Sequence, residues 1–385
     1  MRPIRTFPVA PARSSVIVLV LVMLVFTATA VTAFIEKAET DLLVDFRHSQ
    51  SKRLRREAFS ALEVVLAVLE DFRQADNGLH STAEGWGEPL AWAGWAPDEG
   101  LKVDVSFQDE SGKIPLSRAD MTTLTNLFAF WQVSPADSEK LADAILGWMQ
   151  TGYVYTSVPP DYTDVPVPYA EPARPMRSFS ELAAIDVAKD FFFDENGLPN
   201  AYFWRFVSDT SIFKYSQPNV NGANADVMAS VGQYTDAQRQ HINDYISGAG
   251  QYAQEGQQWF QNTTTLASVA GLGGNANPFS VTVSALRINI TVHEGSTQYR
   301  LSAVVAPQGG ATLNQTAATN ATTAQGSTSS PTTSTSVTNS AQPSQTATSQ
   351  ATAAAASQSI NYPFTLLEAL EDDEIPQPPP ESPPS

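Results

Sequence analysis

The order of patterns along the chain predicts an α+β fold: one very long N-terminal helix, a strand, a block of helices and a closing pair of strands. Three observations carry this. Residues 36–73 hold no proline or glycine and continue an apolar run that starts at Ser14. Residues 101–107 (LKVDVSF) alternate apolar and polar. Residues 280–292 and 298–306 return to strand character around the turn His293-Glu294-Gly295-Ser296, after a middle section of helical periodicity.

The first element begins with residues 14–34, SSVIVLVLVMLVFTATAVTAF, which carry no charge. About 20 apolar residues suffice to cross a bilayer as a helix, and in lipid only a helix satisfies its own backbone. The preceding residues contain Arg2, Arg5 and Arg13 and no acid. Positive charge stays on the cytoplasmic side, so the C-terminal bulk is expected to be exported. A cleaved secretory signal is the alternative, since TATAVTA offers small residues. The apolar run exceeds the ~7–15 residues of a signal core, which favours a retained anchor.

Above the anchor, Leu54, Ala58, Ala61, Val65, Leu69 and Phe72 recur at three- and four-residue spacing. They form one stripe that packs on a globular body. Lys52, Arg53, Arg55 and Arg56 lie between the lipid and body halves. They read as a solvated face, or as a contact with acidic headgroups or a neighbouring subunit. Trp86, Trp92 and Trp95, in a turn-rich link, read as core or interface fillers rather than a ligand cage. In the helical section, 121–131, 138–150, 180–189, 224–231 and 236–247 are expected helices. Ser134-Pro135, Ser180 and Asn224 stand at starts, and Ser138 is a further candidate cap. A proline-rich loop, 158–175, separates the second and third of these.

Beyond Pro307 the chain is Ser, Thr, Ala, Gln and Asn, with no charge between Arg300 and Glu368. Such a composition does not bury enough apolar surface to offset its ordering entropy, so disorder is expected. Near the end, Phe364, Leu366, Leu367 and Leu370 precede acids and prolines. They read as a docking motif on a tether, or as a disordered end without a partner.

The net charge is −18, from 40 acidic and 22 basic residues, which argues against nucleic acid as a partner. Cysteine is absent, so disulfides and thiolate chemistry are excluded. His48, His80, His241 and His293 are scattered, and His293-Glu294 lacks the second histidine of a zinc-protease helix. No nucleophile elbow or phosphate loop is present. Gly271-Leu272-Gly273-Gly274 reads as a loop, and Asp194-Glu195-Asn196-Gly197 as a turn rather than a calcium loop. The chain is therefore expected not to be an enzyme and to need no cofactor.

Several segments carry a family resemblance. Arg13-Ser14-Ser15-Val16-Ile17-Val18-Leu19 is similar to a prepilin processing junction. Four others follow in order: Asp109-Glu110-Ser111-Gly112-Lys113-Ile114-Pro115-Leu116, Leu141-Ala142-Asp143-Ala144-Ile145-Leu146-Gly147-Trp148, Phe179-Ser180-Glu181-Leu182, and Asn219-Val220-Asn221-Gly222-Ala223-Asn224-Ala225-Asp226-Val227. Together they resemble the K-type minor pseudopilins of bacterial type II secretion, over residues 13–306.

The resemblance implies a pilin-like long helix on a small antiparallel sheet, with a large helical domain inserted between strands. Its implied boundaries are a basic cytoplasmic leader (1–14), the membrane part of the helix (15–35) and the rest of the helix with the first strands (36–116). The inserted domain (117–278), closing strands (279–306) and a disordered tail (307–385) follow. It implies a single-pass inner-membrane protein with a cytoplasmic N-terminus and a periplasmic bulk. Its implied role is at the tip of the pseudopilus, where it initiates assembly and takes part in export across the outer membrane. The implied partners are I- and J-type minor pseudopilins, the pseudopilus, the prepilin peptidase and the lipid bilayer. A membrane-anchored periplasmic binding or interaction protein unrelated to secretion is the alternative.

Position five of the mature helix would be Leu19, where other pilins carry a glutamate that pairs with a neighbour's N-terminus. A tip subunit has nothing above it to pair with, and an unpaired carboxylate in lipid is costly. The chain departs from the family at Ser14, which stands where the processing peptidase prefers glycine ahead of Ser15. Calcium, which the family can carry, would have only Asp161 and Asp164 after Trp148 and before Tyr169, against a need for six to eight oxygens. The long Ser/Thr tail is also outside the family pattern.

Overall fold

The computed structural model describes residues 14–163, 168–272, 277–314 and 363–376. The chain opens with α1 (Ser14–Asp76), 63 residues and so roughly 95 Å long. The short α2 (Pro89–Trp92) folds back on its upper end, and β1 (Lys102–Asp109) follows. The middle holds β2 (Ile114–Pro115), α3 (Met121–Phe130), α4 (Pro135–Met149), α5 (Asp186–Phe192), α6 (Ala201–Asp209), β3 (Thr210–Ser211), α7 (Ala225–Val231), α8 (Asp236–Ser247) and α9 (Thr263–Ala270). The chain closes with β4 (Leu286–Glu294), β5 (Thr297–Pro307) and β6 (Phe364–Glu371).

Four strands form one antiparallel sheet in the order β1-β4-β5-β6. Strands β1 and β4 pair over their lengths, Lys102 opposite His293 and Asp109 opposite Leu286, although residues 110–285 lie between them. The helical section is thus inserted between two strands that are neighbours in the sheet. Gly295, at φ 59, gives the β4–β5 hairpin the left-handed backbone its two-residue turn needs.

One core lies between the upper half of α1 and the sheet. Leu54, Ala58, Ala61, Leu62, Val65 and Leu69 pack against Leu286, Ile288, Ile290 and Val292 of β4 and Tyr299, Leu301, Ala303 and Val305 of β5. A second, larger core lies within the inserted helices and is dominated by aromatic rings, with Phe128, Phe192 and Phe206 completely buried. A small third cluster covers the sheet face away from α1: Phe213 and Tyr215 from the insertion pack on Val304 and Ala306 of β5.

Several expectations need correction. Helix α4 begins at Pro135 with Ser134 as its cap (Oγ accepts from Asp137 N, 3.2 Å), while Ser138 is buried inside it. Ser180 starts no helix: Ser178 caps a 3-10 turn, Phe179–Ala184, and α5 follows it. Helices α6 and α9 were not foreseen, and β4 starts at Leu286 rather than at 280, because 280–285 are spent on contacts with the insertion. Trp86 is buried edge-on against Phe107, but Trp92 is 65% exposed, with one face on Phe72. In the basic cluster Lys52, Arg55 and Arg56 are exposed, as a solvated face expects, and within the chain Arg53 pairs with Glu294 (2.7 Å), Arg55 with Glu371 (2.7 Å) and Arg56 with Asp98 (3.4 Å).

The largest correction concerns the end of the chain. Ordered structure continues past Pro307 to residue 314, with Lys214 and Thr312 bridged. Residues 364–371, expected to lie in a disordered tail, form the outer strand of the sheet. The physical reason is β5: its run Leu301–Ala306 is buried and apolar, and an unpaired edge of that kind is sticky. Phe364 is buried in the α1–sheet core, and acidic side chains of β6 meet basic ones of the body. Residues 315–362 and 377–385 lie outside the described residues.

Candidate functional site

The first candidate is the lower half of α1. Residues Ile17–Lys37 have a mean hydropathy of 2.7, and none of the apolar window is buried. Leu19 is exposed there, and Ser14 and Ser15 lie in the first described turn of the helix. The hydroxyls of Thr27, Thr29 and Thr32 donate to the carbonyls of Leu24, Phe26 and Ala28 at 2.9–3.0 Å. Each polar tip is therefore satisfied within the helix, as a lipid-facing surface requires. The span is long and apolar enough to cross a membrane.

The second candidate is the seam where the insertion leaves the sheet. Here two of the quoted segments, distant in sequence, interlock. Asp109, at the end of β1, accepts from Ser111 N (2.9 Å), Ser111 Oγ (2.6 Å) and Asn219 Nδ2 (2.6 Å). The Asn219 amide also donates to the carbonyl of His80 (3.1 Å), tying the segment that follows α1 to the same point. A Cβ on Gly112 would collide with the Gly222 backbone, and one on Gly222 with the Asp109 side chain, so glycine is required at both. Asn221 donates to the carbonyls of Phe260 (3.0 Å) and Val281 (2.9 Å) and accepts from Phe260 N (2.8 Å). Burial pushes the Asp109 carboxyl up to about 6, against the hydrogen bonds from Ser111, Asn219 and Gly112.

The other two segments also meet. Trp148 Nε1 donates to Glu181 Oε2 (2.9 Å), and Glu181 Oε1 accepts from Arg177 N (2.8 Å) and Arg174 Nη1 (3.1 Å). Burial opposes ionisation of Glu181, yet these donors hold its carboxyl below the usual range. Asp143, buried in α4, accepts from Tyr153 Oη (2.7 Å), Thr156 N (2.9 Å), Thr156 Oγ1 (2.8 Å) and Ser157 N (2.6 Å), fixing the loop after α4. The residues that carried the resemblance are thus cross-braces of the inserted domain.

A cavity of about 330 Å³ opens at the seam beside His80, Asp109, Lys113, Ser208, Asn221 and Asn224. Its titratable groups are already paired: His80 Nδ1 with Glu84 (2.5 Å), Lys113 Nζ with Glu110 (3.0 Å), and Asp109 as above. Glu84 also accepts from Trp86 Nε1 (2.8 Å), and Glu110 binds Arg287 (3.3 Å). Glu110 lies in one of the quoted segments, whereas Glu84 and Arg287 are not singled out by the sequence; the signal for Glu84 is its i,i+4 spacing from His80, and Arg287 has none.

The proposed calcium loop is held by aromatic rings: Tyr162 and Tyr169 stand edge-on to Trp148, with centroids at 5.9 and 6.3 Å. Asp161 Oδ1 accepts from Thr163 N (2.8 Å), the Tyr169 hydroxyl donates to the Ala184 carbonyl (2.7 Å), and Asp164 lies outside the described residues. Among the described residues no three histidine or acidic side chains gather into a group that could hold a metal ion. Asp194 accepts from Asn196 N (2.9 Å) and Leu198 N (2.8 Å) in a turn closed by Gly197 at φ 75. Gly271 caps α9 at φ 66, and Gly273 and Gly274 lie outside the described residues.

No protein-family profile and no curated protein matches this chain. Among solved structures, it is similar to a chain in the crystal structure of the GspK–GspI–GspJ complex from the enterotoxigenic Escherichia coli type 2 secretion system. The TM-score is 0.47 at 12% identity, covering 67% of this chain and 94% of that one. The plan described above, a long helix on an antiparallel sheet with helices inserted between neighbouring strands, is the α+β arrangement expected from the sequence.

Proposed function

We propose that this chain is a K-type minor pseudopilin, a non-enzymatic subunit that sits at the tip of a type II secretion pseudopilus and starts its assembly. The observation that carries the reading is the division of labour along the molecule. An exposed apolar stem runs without a break into a helix packed on a sheet, and a large helical body is inserted between two adjacent strands. Stems of this kind pack side by side in a fibre, whereas a body of this bulk fits best where no subunit lies above it. Leu19 agrees with that position, since it asks for no partner from a higher subunit. The partners of this reading are I- and J-type minor pseudopilins, with the stem resting in the inner membrane before assembly and the body in the periplasm.

The test is deletion of the gene in its host, with complementation by the full chain. Secretion of folded proteins is expected to stop and to return on complementation. A strain that secretes normally without the chain, and has no paralogue to replace it, would sink the reading. Mass spectrometry of the N-terminus separately tests processing. A chain beginning at Ser15 means that Ser14 is accepted at the cleavage junction, and one beginning at Met1 means that it is not.

The cavity at the seam favours a second reading, an anchored periplasmic binding protein that holds a small ligand between sheet and insertion. That reading expects the gene to lie apart from secretin, secretion ATPase and pilin genes.

A further inference from the structure

Strand β6 is attached in an unusual way. It pairs with β5 from Leu301–Glu371 to Pro307–Phe364, yet residues 308–363 separate two strand ends that lie side by side. A two- to five-residue turn would close such a pair. The strand's grip on the body is largely ionic. Glu368 meets Arg287 (2.9 Å), and Glu371 receives both Arg55 nitrogens (2.7 Å) and the Tyr299 hydroxyl (2.6 Å). Asp372 accepts from Arg300 N (2.8 Å). Apolar contact is confined to Phe364, which enters the α1–sheet core, and to Leu367, which bulges out of register at Val304/Val305 onto the far face. Leu366 stays exposed. This is how a bound peptide is held: main-chain pairing for affinity, one apolar anchor, and charges for selection.

We propose that the edge of β5, with Arg55, Arg287 and Tyr299, is a recognition groove for an acidic extended segment of a partner protein, and that β6 fills it in cis as a tethered, exchangeable occupant. The sequence of β6 states what the groove selects: an apolar anchor followed four and seven residues later by carboxylates. As part of the same chain, β6 is presented to this edge at a higher local concentration than a free segment in dilute solution. The groove therefore stays closed in dilute solution and opens only to a segment presented at comparable local concentration. Closure also hides an apolar edge that would otherwise aggregate. The proposal does not depend on the secretion reading.

The test uses the full chain with a site-specific protease sequence inserted after residue 335. After cleavage in detergent, β6 is expected to co-elute with the body at low salt. It is then expected to exchange, over minutes to hours, with a fluorescent peptide of residues 363–376. Exchange should quicken roughly tenfold between low and molar salt. A peptide carrying Glu368→Gln and Glu371→Gln should displace β6 at least tenfold less well, and one carrying Phe364→Ala should fail. These peptide comparisons use one folded protein throughout, so no variant's folding confuses them. The proposal is overturned if β6 is lost at low salt while the body stays folded. It is equally overturned if β6 never exchanges, or if exchange is indifferent to salt and to the two glutamates.

Discussion

Helix α1 is one continuous element with two kinds of surface. Over Ile17–Lys37 its apolar side chains lie bare, whereas from Leu54 to Leu69 an apolar stripe is buried against the sheet. The backbone is the same, and only the distribution of side chains differs. The lower half is apolar all round, as lipid demands. The upper half is apolar on one stripe, with charge elsewhere, as a half-buried helix demands. The contrast teaches that the stem can be altered without touching the body's fold, and the reverse.

The sharpest way to break this contrast is a charge in each half. Val65→Asp, at a fully buried position, is expected to cost more than about 4 kcal/mol and unfold the body, while membrane association survives. Leu24→Arg should do the opposite. It adds about 2.5–3.5 kcal/mol to membrane insertion and leaves the body's thermal midpoint unchanged. Thermal unfolding in detergent and membrane flotation read the two effects. Leu69→Ala, again wholly buried, should cost about 2–5 kcal/mol by leaving a cavity. Gly222→Ala lies away from α1 and should cost about 1–3 kcal/mol by forcing the seam open, a control that leaves the stem's behaviour untouched.

Acidity separates the upper stem from the seam. Arg55 and Tyr299 hold Glu371 down to about 2, from an ordinary 4.5. The grip of β6 on α1 is therefore complete above pH 4.5 and is lost as pH falls through about 2. Asp109 runs the other way. Burial raises its carboxyl from 3.8 to about 6, so its contribution is fully present below 3.8 and lost as pH rises through about 6. A carbon-detected titration of the two carboxyls should give midpoints on opposite sides of 4. The smallest effect is expected from Arg56→Ala. Its partner Asp98 is half exposed and 3.4 Å away, and the loss should stay within about 0.5 kcal/mol by chemical denaturation.

How much of this was legible in the sequence depended on the range of the interaction that sets each element. The α1 stripe, β1, the β4–β5 hairpin and α8 follow from local periodicity, and α8 runs over its expected bounds, Asp236–Ser247, with a capping box of Thr235 and Gln238 at its start. The five helices inferred around Met121, Leu141, Ser180, Asn224 and Asp236 came within a few residues, except where Ser178 rather than Ser180 took the capping role. Helix α6 was missed because its aromatic run AYFWRFV fits a strand as readily as a helix. The order of strand β6 has a deeper origin: it comes from β5, Arg55 and Arg287, all more than fifty residues away in the chain, while the long stretch before it is uncharged and rich in Ser, Thr and Ala. The seam residues were visible as motifs, but that Asp109 and Asn219 brace each other is fixed only by the tertiary fold.

The central claim is that the stem lies in a membrane and the body beyond it, and the lack of native cysteine allows a direct measurement. Single variants Leu24→Cys and Ala67→Cys, an exposed position on the upper half, would be treated in whole cells with a maleimide that crosses the outer membrane but not the inner one. The account predicts that Ala67→Cys is labelled at once, and Leu24→Cys only after detergent. Labelling of Leu24→Cys in intact membranes, or of Ala67→Cys only after lysis, would contradict it.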